Sequence, residues 1–144
     1  MHNALKTNQI SHQVDVRIRM AALWATTMMI FAYVDLFSLF RPDFRAALDE
    51  GKVFVFDVGQ PFLLGATVYV IIPSLMIYLS LVMPRKLNRI VNISLAGIYA
   101  ITIVGGAIGE WNYYVLGSAV EFVLLALVIR HSWTWRVDKT IQPL

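Results

Sequence analysis

Polar and apolar residues along this chain are sorted into long blocks. Met20–Phe40 carries a single charge, Asp35; Val58–Met83 and Ile90–Gly109 carry none; Trp111–Ile129 carries only Glu121. A helix rising 1.5 Å per residue needs about 20 apolar residues to cross a hydrocarbon layer of about 30 Å, and each block meets that length. Membrane strands would instead show alternating segments of about ten residues. The pattern predicts an all-α integral membrane protein with spans at about 20–40, 58–83, 90–109 and 111–129. They form one domain, 18–136, between a polar arm, 1–17, and a tail, 137–144.

The links refine this picture. Pro84–Arg89 and the turn at Glu110 are short, and short links force antiparallel neighbours, so the simplest arrangement is an up-down-up-down four-helix bundle. The long connection, Arg41–Asp57, contains Pro42-Asp43-Phe44 at one end of a helical pattern and Gly51 just past the other, which predicts a short interfacial helix. The first block is too long for a cleaved signal, lacks an Ala-x-Ala-like exit and ends in Leu-Phe-Arg-Pro, so it is expected to remain as a helix. Pro73 predicts a kink in the second span at Tyr69–Pro73. Gly105 and Gly109 form a small-xxx-small pair suited to close packing or to a homo-oligomer contact.

Composition excludes several classes. Only 15% of the 144 residues are charged, against about 25% in soluble domains, and mean hydropathy is +0.66. The absence of cysteine removes disulfides, thiolate nucleophiles and iron–sulfur clusters. The pI of 9.4 reflects placement rather than nucleic-acid binding. Lys6, Arg17, Arg19, Arg85, Lys86, Arg89, Arg130, Arg136 and Lys139 fall on one side of the spans, and only Arg41, Arg45 and Lys52 on the other. Lys and Arg favour the cytoplasmic side, so both termini are expected there, in a bacterial inner membrane.

Candidate chemistry begins with the two intramembrane acids. A carboxylate in hydrocarbon faces the bundle interior, pairs, or takes a proton. Asp35 lies about 7–8 Å, and Glu121 about 14 Å, from the outer ends of their spans, so one outward-opening cavity can hold both. Tyr33, Tyr69 and Tyr99 lie at similar depth, with Thr102 one turn from Tyr99. Buried tyrosines need hydroxyl partners, and the two acids are the expected acceptors. Tyr33, Asp35, Tyr69, Tyr99, Thr102 and Glu121 thus form a candidate ligand site, with Asp57, Gln60 and Glu110, beside Asn112 and Tyr113, at its outer mouth. The bland alternative is that both acids are structural, that Glu110 solvates a turn and that Trp111, Tyr113 and Tyr114 are an interfacial belt. Arg85, Lys86 and Arg89 serve either positive-inside retention or an acidic lipid headgroup. His2, His12 and His131 have no metal-ligand spacing, and no phosphate loop or nucleophile motif is present; no metal and no cofactor are expected.

Several segments carry a family resemblance: Tyr33-Val34-Asp35-Leu36-Phe37-Ser38-Leu39-Phe40, Ile72-Pro73-Ser74-Leu75-Met76-Ile77-Tyr78-Leu79-Ser80, Asn88-Arg89-Ile90-Val91-Asn92-Ile93, and Glu121. From the first span to Trp135 the chain resembles a family of small bacterial four-helix membrane proteins classed as a domain of unknown function. In helix count alone it is similar to DoxX-like proteins. The resemblance implies a membrane bundle, draws interest to Tyr33, Asp35, Asn88, Arg89, Asn92 and Glu121, and implies no activity. Three functions remain open: a module binding or transporting a small amphipathic or cationic molecule or a proton; a structural or accessory subunit; and an enzyme using Asp35 or Glu121 as acid/base. The enzyme has the least support, for want of any nucleophile or cofactor signature.

Overall fold

A computed structural model describes residues 14–135; Lys6, Arg136, Lys139, His2, His12 and the tail lie outside the described residues. The order is α1 (Val16–Ser38), α2 (Pro42–Asp49), β1 (Lys52–Val53), β2 (Phe56–Asp57), α3 (Gln60–Val82), α4 (Arg85–Gly106) and α5 (Asn112–Thr134). The fold is all-α apart from the hairpin, and α1, α3, α4 and α5 are each long and apolar enough to cross a membrane. Local signals set the ends. Asp15 caps α1 by accepting from the Arg17 amide at 2.7 Å, an oxygen offered to an otherwise orphan N–H. Pro42 and Pro61 sit in the first turns of α2 and α3, where a missing N–H costs nothing.

Three expected boundaries change. Helix α4 begins at Arg85, directly after Met83-Pro84, so Pro84–Arg89 is no loop and Arg85, Lys86 and Arg89 ride on the first turns of a helix. Helix α5 continues past Ile129 to Thr134. Helix α4 stops at Gly106, and Gly109 turns the chain at φ +82°. Gly105 and Gly109 therefore share no helical ridge. The close approach lies elsewhere: a Cβ on Gly117 of α5 would collide with Val34 Cγ2 of α1. The short helix in the long connection forms as expected, with Gly51 beyond it at φ +74°. The hairpin after it was not legible in the sequence. Val53 pairs with Phe56, and Phe54 takes φ +53° in the turn, a region unfavourable to a side chain by roughly 1–2 kcal/mol.

Side-chain contacts record how the long helices meet. Arg17 near the start of α1 donates to the Leu81 carbonyl near the end of α3 at 3.2 Å, and Ser132 near the end of α5 lies 3.1 Å from Met20 Sδ. Helix α1 packs on both α3 and α5, and α5 on α4, while α3 and α4 touch only sparsely despite their short link. The core is built from Trp24, Met76, Ala96, Tyr99, Leu125 and Val128. The outward faces, with Met29, Leu64, Ile101 and Leu116, stay exposed and apolar, as a lipid-facing surface requires. No residue of α3 from Gln60 to Ile72 is buried; burial begins at Pro73. The first half of α3 stands off its neighbours and leaves room inside the bundle at the end carrying α2 and the hairpin.

Candidate functional site

That room is a cavity of about 700 Å³. Its walls come from all four long helices: Phe31, Ala32 and Asp35 of α1, Tyr69 of α3, Thr102 and Ile103 of α4, and Tyr114, Ser118 and Glu121 of α5. Phe44 and Leu48 of α2, Val53, Phe54 and Phe56 of the hairpin, and Phe62 of α3 close over it. The aromatic groups pack on one another: Phe44 meets Phe54 edge-on at 6.4 Å, and Phe56 stacks on Phe62 at 5.8 Å. The volume falls within the several hundred Å³ typical of small-molecule sites.

Both intramembrane acids line this cavity. Glu121 is 2% exposed, and its Oε1 is buried without a hydrogen-bond partner among the described residues. Asp35 is exposed to the cavity. Among the described residues, no Lys, Arg or His lines the walls. An unpartnered buried carboxylate oxygen is costly, and among the described residues it is the one fully buried side-chain N or O atom left without a partner.

The two acids were the expected acceptors of the tyrosine hydroxyls, but Tyr69 and Tyr99 bond elsewhere. Tyr99 donates to the Tyr69 backbone carbonyl at 2.5 Å. That carbonyl lies four residues before Pro73, which has no N–H to give it, so a side chain of α4 replaces the missing helical bond and α3 runs unbroken through Pro73. The Tyr69 hydroxyl and Thr102 Oγ1 are 2.6 Å apart, and Thr102 donates to the Tyr99 carbonyl at 2.9 Å; with its one proton so placed, Thr102 accepts from Tyr69. Tyr69 and Tyr99 pack at 4.6 Å, and Trp24 meets Tyr99 edge-on at 6.2 Å. These rings fill the bundle beneath the cavity. Tyr33 is absent from the cluster: it is 55% exposed and packs on Phe37 at the outer surface of α1.

The mouth also differs. Asp57 and Gln60 are exposed and away from the walls, and Glu110 forms an ion pair with Arg41. Arg41 also forks onto Asp43, with Nε 3.2 Å from Oδ1 and Nη2 2.6 Å from Oδ2, and its guanidinium lies 4.8 Å from the Trp111 ring centre. The Asp43 hydrogen bonds, followed by those of Glu110 and Tyr113, raise the Arg41 pKa, and Arg41 in turn lowers that of Asp43. This latch ties the α1–α2 corner to the α4–α5 turn. Tyr113 belongs to the same corner, 2.8 Å from Ser38 Oγ.

Asn88 and Asn92, which the family resemblance singled out without a role, join Trp24 and Ser80 in a second polar centre beneath the tyrosines that sequence reasoning did not foresee. Trp24 Nε1 donates to Asn92 Oδ1 at 2.7 Å, and Ser80 Oγ donates to the same oxygen at 3.3 Å. Asn92 Nδ2 donates to the Asn88 carbonyl and side-chain oxygens at 2.9 and 2.6 Å. Asn88 Nδ2 reaches the Ser80 carbonyl at 2.7 Å. That carbonyl lies four residues before Pro84, so α4 again supplies a bond that a proline of the preceding segment withholds. The signal was present in Asn88 and Asn92, two amides one helical turn apart facing a proline-flanked helix end. At this end Arg85 donates to the Trp135 carbonyl and lies over its ring, while Arg89 lies over Trp133. Lys86 and Arg89 edge an open groove with Ile90, Ile93 and Trp133.

A model of a family of unknown function, DUF6326, matches residues 10–142; the chain belongs to that family. No curated protein and no solved structure matches it.

Proposed function

We propose that this member of a family without an assigned activity is a multi-pass membrane protein that binds a small amphipathic molecule in the cavity between its helices. One observation carries the reading: Glu121, buried in the apolar bundle, leaves Oε1 without a partner among the described residues, beside a cavity of about 700 Å³ that Asp35 also lines. A purely structural subunit has every reason to satisfy such an oxygen, as this bundle does at Asn88 and Asn92. The aromatic roof suits an apolar tail and the acids a polar head. Positive-inside placement puts both termini in the cytoplasm and the mouth of the cavity on the outer face.

Because the chain contains no cysteine, single cysteines report access cleanly. Cysteines replacing Ala32 and Ser118 in the cavity wall should react with a membrane-impermeant methanethiosulfonate added to the outer face, while one replacing lipid-facing Leu116 should not. Protection of Ala32→Cys and Ser118→Cys from both faces, with the protein folded, would remove the ligand site. At the other end, Lys86, Arg89 and Trp133 offer an acidic lipid headgroup two cations above an apolar groove. Phosphatidylglycerol should then raise thermal stability over phosphatidylcholine in the unaltered protein, and less so in Lys86→Ala.

A further inference from the structure

We infer that the head group accepted at Asp35 and Glu121 is a protonated amine, so that the ligand class is a lipophilic amine carrying at least one N–H. The inference rests on the cavity reading above and specifies its occupant. Four features of the site support it. Asp35 and Glu121 are both carboxylates, and among the described residues no basic side chain lines the cavity to compensate either. The nearby cation, Arg41, is already held by Asp43, Glu110 and the Trp111 ring. Glu121 Oε1 lacks a donor, and the neighbouring Tyr69 proton is committed to Thr102. The wall hydroxyls of Tyr114 and Ser118 also leave that oxygen unbonded, so what Glu121 lacks is both a counter-charge and a hydrogen bond.

A metal ion would ask for several oxygen ligands, and no group of three or more His, Asp or Glu side chains gathers among the described residues. An anion would meet two acids. A neutral alcohol brings a donor without a charge, and a quaternary ammonium a charge without a donor. An ammonium with an N–H brings both, in a charge-assisted hydrogen bond of the stronger kind. Phe31, Tyr69 and Tyr114 add aromatic rings to the wall, a residue class that attracts cations, and Phe44, Phe54, Phe56 and Phe62 line the space for an alkyl chain.

The test uses the unaltered protein in nanodiscs of uncharged lipid. Dicyclohexylcarbodiimide modifies carboxyl groups in apolar surroundings, and peptide mass spectrometry reads its adduct at Glu121. Three probes of equal chain length compete: dimethyldodecylamine, dodecyltrimethylammonium and dodecanol. The dimethylamine should protect Glu121 at a concentration about tenfold lower than either of the others, the ratio expected when one charge-assisted bond is gained. Asp35→Asn should weaken that protection several-fold while leaving the Glu121 adduct readable. Equal protection by all three probes overturns the amine assignment and leaves the cavity reading intact. Equal protection by the two cations overturns the N–H requirement. No protection by any probe, with cysteines replacing Ala32 and Ser118 still reactive from outside, shows that the acids take only protons. Loss of that reactivity as well removes the cavity reading itself.

Discussion

Asn92 concentrates more polar satisfaction than any other side chain in the bundle: its oxygen accepts from Trp24 and Ser80, and its amide donates twice to Asn88. All four residues are 0% exposed. Removing such a hub strands donors in a medium with no water to replace it. Asn92→Ala should therefore destabilise the fold by roughly 1–3 kcal/mol, the cost of stranded buried groups, measured by reversible unfolding in mixed micelles. Asn92→Asp keeps the acceptor for Trp24 but sets an acid oxygen against Asn88, and should cost at least as much. A second prediction concerns Tyr99. If its hydroxyl replaces the bond that Pro73 withholds, Tyr99→Phe should cost about 1 kcal/mol, within the range for hydrogen bonds between membrane helices. That cost should vanish in a Pro73→Ala background, where the helix makes its own bond. A double-mutant cycle measures this; an unchanged cost in the Pro73→Ala background would sever the link.

At the scale of elements, α2 and the hairpin are held less by their own structure than by the Arg41 latch. Helix α2 buries none of its residues fully, and the hairpin pairs only two residues per strand. Arg41→Ala frees Glu110 and Asp43 and removes the contact with Trp111, so the roof should loosen. A fluorophore on a single cysteine replacing the exposed Asp49 should then lose steady-state anisotropy. The latch also sets a pH window. The Asp43 carboxyl is held below its ordinary value of 3.8 by Arg41. A lowered folded-state pKa contributes stability that is complete above 3.8 and fades only as pH falls through the lower folded value. Anisotropy of the labelled, otherwise unaltered protein should thus stay level from about pH 7 to about pH 4.5, above the ordinary carboxylate range. A fall within that range would show that other groups hold the roof. The existence of α2 was legible in Pro42 and Gly51, whose backbone preferences are local. The hairpin was not, because Phe54 adopts a left-handed conformation that its side chain disfavours, in a turn where it packs on Phe44.

For the molecule as a whole, the four spans were legible because hydropathy and helix length are properties of contiguous sequence. Depth arithmetic allowed Asp35, Glu121, Tyr69 and Thr102 to share one cavity, since residues at equal height in a bundle meet if they face inward, and these four line it while Tyr99 does not. The facing direction was less legible. Tyr33 sits at the right depth on the wrong side of α1, and Glu110 was taken by Arg41, a partner 69 positions away. Charge placement governs the remaining whole-molecule property, orientation. Among the described residues, Arg17, Arg19, Arg85, Lys86, Arg89 and Arg130 gather at the end opposite α2, and Arg17, Arg85 and Arg89 lie over Trp135 or Trp133. Arginines beside interfacial aromatics resist translocation, so this end should stay in the cytoplasm. A fluorescent protein fused after Leu144 should fold and fluoresce, and alkaline phosphatase at the same point should stay inactive. Phosphatase inserted at Gly51 should be active. The reverse pattern would turn the cavity mouth to the cytoplasm, and any amine reaching Asp35 and Glu121 would then have to come from within the cell.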